Sequence, residues 1–182
     1  MSRNIFLIGF MGAGKSTIAR TLCDLYEMKL VEMDEQIEAQ EGRSISRIFS
    51  ESGEAYFRSL ETELLEDLEQ MTNMVVSCGG GAAMREENIA IMRKSGSVIY
   101  LSAEPETIYD RVKNAHTRPL LEGHMDIAYI EELMAERHPK YQNAADFAVK
   151  TDGRNTGDIC KEIIEKTRVT AKNVDTVSGH TN

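Results

Sequence analysis

Apolar runs closed by glycine or polar residues alternate along the chain with stretches whose apolar positions fall three and four apart. Ile5 to Ile8 is an unbroken apolar run that stops at Gly9, the pattern of a strand buried on both faces. Ser16 to Tyr26 follows with Ile18, Ala19, Leu22 and Leu25 at helical spacing. The same reading predicts further strands near Leu30–Met33, Met74–Ser77, Val98–Leu101 and Asp146–Lys150. Between them it predicts helices near Asp34–Gln40, Ile45–Ser50, Gly53–Met71, Glu86–Lys94, Pro105–Val112, Asp126–Tyr141 and Thr156–Lys166. In the longest of these, Phe57, Leu60, Leu64, Leu68 and Met71 form the expected core stripe. Strands separated by helices predict an α/β domain over residues 1–168, with a parallel sheet covered on both faces. The stretch KNAHTRPLLEGHM breaks the periodicity and predicts a mobile lid at about residues 112–125. Residues 169–182 offer few large apolar groups to offset the entropy of ordering and are expected to be a disordered tail.

The charge balance changes what such a domain can bind. Thirty acidic against 21 basic residues leave a net charge of −9, which argues against gripping a nucleic-acid backbone and requires any anion site to be built from a few placed groups. Cys23, Cys78 and Cys160 are an odd number, far apart, and suggest neither a disulfide framework nor a zinc site. No segment approaches the roughly 20 apolar residues of a membrane span. A cytoplasmic monomer that contacts neither membrane nor nucleic acid is expected.

GFMGAGKS, Gly9 to Ser16, matches GxxxxGK[ST] and lies where a strand hands over to a helix. Successive backbone N–H groups of such a turn point at phosphate oxygens, helped by the positive end of the helix dipole. Lys15 would reach the β- and γ-phosphates of ATP, and the Ser16 hydroxyl would ligate Mg2+.

The acceptor has to be sought elsewhere. Glu32 and Asp34 stand two apart at the end of the second predicted strand, on one side of it, where two carboxylates can position a metal and a hydroxyl; Asp34 could equally cap the following helix. Arg58 lies off the stripe of its helix with Glu54 and Glu61 at i−4 and i+3, the spacing of a surface ion pair, although its planar fork also suits a carboxylate. Cys78-Gly79-Gly80-Gly81 follows the third strand, and consecutive glycines suggest a ligand close against the backbone, or a tight turn. Cys78 reads as a packing residue. Arg111, Arg118 and Arg137 flank the lid, where an arginine can neutralise a transferring phosphoryl group.

GFMGAGKSTIAR, GRSISRIF, GEAYFRSLE, CGGG, RVKNAHTRPLL and ERHPKYQ together resemble the shikimate kinases, from about Asn4 to Lys166. The resemblance implies a P-loop NTPase-type parallel sheet of order 2-3-1-4-5 with a lid, and transfer of the ATP γ-phosphoryl group to the 3-hydroxyl of shikimate. By position it makes Gly12, Ala13, Gly14, Lys15, Ser16 and Thr17 nucleotide-binding, with Arg111 and Arg154 on the adenine side and Arg118 at the phosphates. It makes Asp34 the holder and candidate base of substrate hydroxyls, Arg58 and Arg137 the carboxylate clamp, and Gly79, Gly80 and Gly81 the pocket wall. Lys15, Asp34 and Arg118 become the catalytic set, and Ser16 with Glu32 the Mg2+ set. In one place the chain departs from the family: Glu32-Met33-Asp34 stands where Asp-x-Asp is usual, one methylene longer at the first carboxylate. A kinase of gluconate or a nucleoside monophosphate would share the turn but lack the Arg58, triple-glycine and Arg137 pocket. A nucleotide-binding regulator without activity would lack Lys15, Ser16, Asp34 or Arg118, all present.

Overall fold

The central strands read as uninterrupted apolar runs because helices cover both faces of the sheet they form. In the computed structural model, which describes residues 3–113 and 126–178, with side chains through residue 168, β1 (Asn4–Ile8) leads through a glycine turn to α1 (Lys15–Tyr26) and β2 (Lys29–Glu32). Then come α2 (Met33–Glu41), α3 (Ile45–Ser52), α4 (Glu54–Leu68), β3 (Met74–Ser77) and a short 3-10 turn at Ala82–Met84. α5 (Glu86–Ser95), β4 (Gly96–Ser102), α6 (Pro105–Val112), α7 (Ile127–Ala144), β5 (Phe147–Lys150) and α8 (Thr156–Ser178) complete the order. The five strands form one sheet in the order β2-β3-β1-β4-β5. Every pair is parallel, with Phe6 opposite Val76 on one side and Val98 on the other. β1 and β3 are buried throughout, whereas the edge strands β2 and β5 bury one residue each, Val31 and Val149.

The sheet order places β1 between β3 and β4, so successive connections leave β1 in opposite directions and open a crevice at the carboxyl ends of the strands. Cys78 N–H donates to Leu7 O at 3.0 Å, which carries the β1–β3 ladder beyond β3 and fixes the glycine segment beside the phosphate turn.

Several boundaries differ from the sequence reading for local reasons. α4 ends at Leu68, because Glu69 and Met71 turn back to the carbonyls of Glu66 and Leu68, and buried Asn4 takes the Met71 carbonyl at 2.8 Å. Met71, expected in the core stripe, is 53% exposed; Leu65 and Glu61 are buried instead. Leu25, on the last turn of α1, is 56% exposed. α8 runs past Lys166 to Ser178, so the backbone is helical in much of the segment expected to be disordered. Residues 179–182, and residues 114–125 of the expected lid, lie outside the described residues. Cys23, Cys78 and Cys160 are all free thiols. No helix among the described residues is long and apolar enough to cross a membrane.

Candidate active site

The phosphate turn is shaped by what surrounds it. Gly9 has φ +143°, and a Cβ there would lie 2.4 Å from the Leu101 carbonyl oxygen on β4, so no other residue fits. Gly14, at φ 100°, is the N-cap of α1 and supplies no side-chain cap, leaving the first-turn N–H groups of Lys15, Ser16 and Thr17 for an anion. Lys15 Nζ folds back over the turn and donates to the carbonyls of Gly9 (2.9 Å) and Phe10 (3.1 Å). Arg111, the penultimate residue of α6, donates to Gly12 O at 3.0 Å. Thr151, just beyond β5 and 4% exposed, has its hydroxyl 3.1 Å from Ala13 O and 3.2 Å from Ser102 O. That residue, which pins the turn to the β5 edge of the sheet, opens the polar stretch Thr151 to Thr156, where nothing in the sequence singles it out. Arg154 donates to Lys150 O and pairs with Glu162 at 2.7 Å.

The two acidic residues at the end of β2 do not share a strand. β2 stops at Glu32, α2 begins at Met33, and Asp34 sits in its first turn, so Asp34 is not the cap and the two carboxylates reach the crevice from different elements. Glu32 Oε2 accepts from Ser16 Oγ at 3.0 Å, and Ser16 Oγ lies 3.4 Å from Ser77 Oγ. Glu32 Oε1 is buried without a hydrogen-bond partner, its nearest cation being Arg20 at 3.4 Å. A hydroxyl and an incompletely satisfied carboxylate beside a phosphate-binding turn are a hard-oxygen donor set that fits a divalent cation shared with substrate phosphates.

Arg58 is not a surface ion pair. Its side chain is 16% exposed, donating to Glu61 Oε2 at 2.7 Å and to Glu54 Oε1 at 2.8 and 3.2 Å. Glu61 has no exposed side-chain surface and one oxygen without a hydrogen-bond partner. Burial pushes its carboxyl above the ordinary range, Arg58 pulls it back and Asp34 adds to the rise. The glycines answer to these groups. A Cβ at Gly79 would lie 2.6 Å from Glu61 Oε1 and 3.0 Å from Asp34 Oδ1, and one at Gly81 would lie 2.1 Å from Arg58 Nη1. The protein's own charged side chains come close against Gly79 and Gly81, in a segment the sequence read as the wall of a ligand site or a tight turn. Arg137, on α7, stands over the Phe10 ring at 5.9 Å and near Gly80. Cys78 is fully buried, and burial pushes its thiol far up, so it packs and does not attack.

These pieces line one open cavity of about 920 Å3. Gly12 to Thr17, Arg111 and Arg154 belong to it, as do Glu32, Asp34, Arg58, Glu61, Gly79 to Gly81 and Arg137. Arg118 lies outside the described residues. Glu61 escaped the sequence reading because an acid three residues from an arginine looks like a solvated partner.

The family model described as shikimate kinase matches residues 11–168. The chain belongs to the shikimate kinase family. It is an ATP-dependent kinase that phosphorylates shikimate. It is 43% identical over 165 residues to the shikimate kinase of Dehalococcoides mccartyi strain BAV1, covering 91% of this chain and 93% of that one. Among solved structures, the shikimate kinase of Acinetobacter baumannii in complex with shikimate is similar at a TM-score of 0.87 and 30% identity, over 93% of this chain and 95% of that one. A gluconokinase from Sinorhizobium meliloti shares the fold alone, with a TM-score of 0.59 and 14% identity over 97% of each chain.

Proposed function

We propose that the chain transfers the γ-phosphoryl group of ATP to the 3-hydroxyl of shikimate with Mg2+ as the metal, and that the residues named above carry the reaction. The observation that supports this most is the continuity of one cavity, with an anion-binding helix terminus at one end and two arginines beside a carboxylate at the other. Lys15 and the N–H groups of α1 hold the phosphates. Ser16 and Glu32 hold Mg2+, which supplies charge neutralisation at the phosphates. Arg58 and Arg137 clamp the shikimate carboxylate against the glycine wall, and Asp34 accepts a hydrogen bond from the attacking hydroxyl. In a loose phosphoryl-transfer transition state positioning outweighs proton abstraction, so Asp34 works mainly by orienting. Arg118 supplies charge to the transferring group; Arg118→Ala is expected to lower kcat more than either affinity, because its partner charge grows in the transition state.

ADP release measured with shikimate, gluconate and nucleoside monophosphates offered separately tests the reading. Turnover with shikimate alone is expected, and comparable release with gluconate overturns it. A monomeric state is part of the same proposal. Cytoplasmic location, expected from the isolated cysteines, belongs to the same proposal.

A further inference from the structure

Tyr141 takes no part in the roles assigned above, yet its hydroxyl bonds the glycine wall of the acceptor end. It follows Arg137 by four residues on α7, so the two share a helix face. Tyr141 is 1% exposed, and its Oη donates to Gly80 O at 2.5 Å. A Cβ built on Gly80 would lie 3.8 Å from the Tyr141 hydroxyl and 3.9 Å from Arg137 Nη1, so phenol and guanidinium meet at the same glycine. A phenol has one proton; with that proton on the Gly80 carbonyl, the phenol oxygen has only lone pairs to offer the positive charge of Arg137. Burial pushes the phenol up to about 12, so the hydroxyl stays protonated and donates to Gly80 through the neutral range.

The ring that carries this hydroxyl is held independently. It stacks on Tyr100 on β4 with centroids 5.2 Å apart and planes at 23°, and the Tyr100 hydroxyl lies 3.0 Å from His138 Nδ1. Gly79 to Gly81, by contrast, have no side chains to choose between the two orientations of their peptide planes. In a trans peptide the carbonyl of Gly80 and the N–H of Gly81 point opposite ways, so holding the first aims the second.

We propose that Tyr141 is a positioning residue for the acceptor: one buried hydroxyl sets the peptide plane of the pocket wall beside the guanidinium that meets the acceptor's carboxylate. The inference rests on the reading of Arg137 and the glycine wall as the shikimate carboxylate site. Tyr141→Phe keeps the ring, its volume and its stacking partner while removing the hydroxyl that holds Gly80. It is expected to raise the KM for shikimate about tenfold, the scale of a hydrogen bond to a charged group, with kcat and the KM for ATP within about twofold. Calorimetric titration of shikimate should show the same loss. Tyr100→Phe is the control, since it removes a hydroxyl from the same aromatic stack but none from the wall; it is expected to leave the shikimate KM unchanged. An unaltered shikimate KM in Tyr141→Phe, an equal rise in the ATP KM, or the same rise in Tyr100→Phe overturns the proposal. Arg137→Ala separates the two levels: a large rise in its shikimate KM beside a wild-type Tyr141→Phe defeats this inference alone, whereas no rise in Arg137→Ala defeats the carboxylate reading beneath it.

Discussion

Glu61 is the residue on which the acceptor end balances. One of its oxygens is held by Arg58 and the other, next to Asp34, has no hydrogen-bond partner. Its carboxyl is raised by burial, so the folded state keeps the proton to a higher pH than the unfolded chain does. Between the ordinary glutamate value and the raised one, the folded state therefore binds more protons, and stability falls as pH rises. Glu61→Gln, which keeps an acceptor for Arg58, is expected to lose that slope; melting temperatures of both proteins across the acid-to-neutral range check it, and parallel curves contradict it. Lys15→Ala is expected to lower turnover by about 100-fold or more with the fold retained, because a preorganised charge at the phosphates is removed; circular dichroism and ADP release separate the two effects. Glu32→Gln should weaken Mg2+-dependent turnover while Glu32→Asp is tolerated, and Asp34→Asn should cost more than Glu32→Gln. A Mg2+ titration of turnover in the three variants decides, with an unchanged Mg2+ dependence in Glu32→Gln removing Glu32 from the metal site. Spacing alone read Arg58 and Glu61 as a helix-surface pair, with the carboxylate clamp the other reading for Arg58, since i and i+3 spacing says nothing about which way a helix turns its charged face. Thr151 and Tyr141 were not legible as site residues, because each acts on backbone far from it in sequence.

At the scale of elements, the glycine segments carry most of the geometry. Gly81→Ala puts a methyl into the Arg58 guanidinium, and that flexible side chain must move; the expected result is a native melting curve with a shikimate KM raised about tenfold and an unchanged ATP KM. Gly9→Ala meets the β4 backbone, which cannot yield, at a φ that disfavours a side chain. Its expected cost is about 2–4 kcal/mol of stability, read from denaturant unfolding. The strands were legible because burial on both faces leaves an apolar run with little else to become. The end of α4 was not. Met71 continues the helical spacing, but Asn4, on a strand distant in sequence, claims its carbonyl. The turn at Ala82–Met84 is too short to leave a periodic trace.

Across the whole molecule, the strand order divides the labour. The nucleotide end is built from the turn after β1 and the segments after β4 and β5; the acceptor end comes from α2, α4 and the glycines after β3. α7 is the element that crosses over, bringing Arg137 from the nucleotide side of the chain to the acceptor. The fold class and the phosphate turn were legible because both are written in local pattern, whereas the meeting of α7 with the glycine wall depends on long-range packing that no window of sequence contains. For an engineer, this division means that acceptor choice is carried by a nearly contiguous cassette, residues 33–84, plus a few positions on one helix. Exchanging that cassette for one from a kinase of the same fold but another acceptor leaves the phosphate turn and its anchors on β4 and β5 in place, and success would depend on whether the transplanted wall finds a hydroxyl to hold it where Tyr141 now stands.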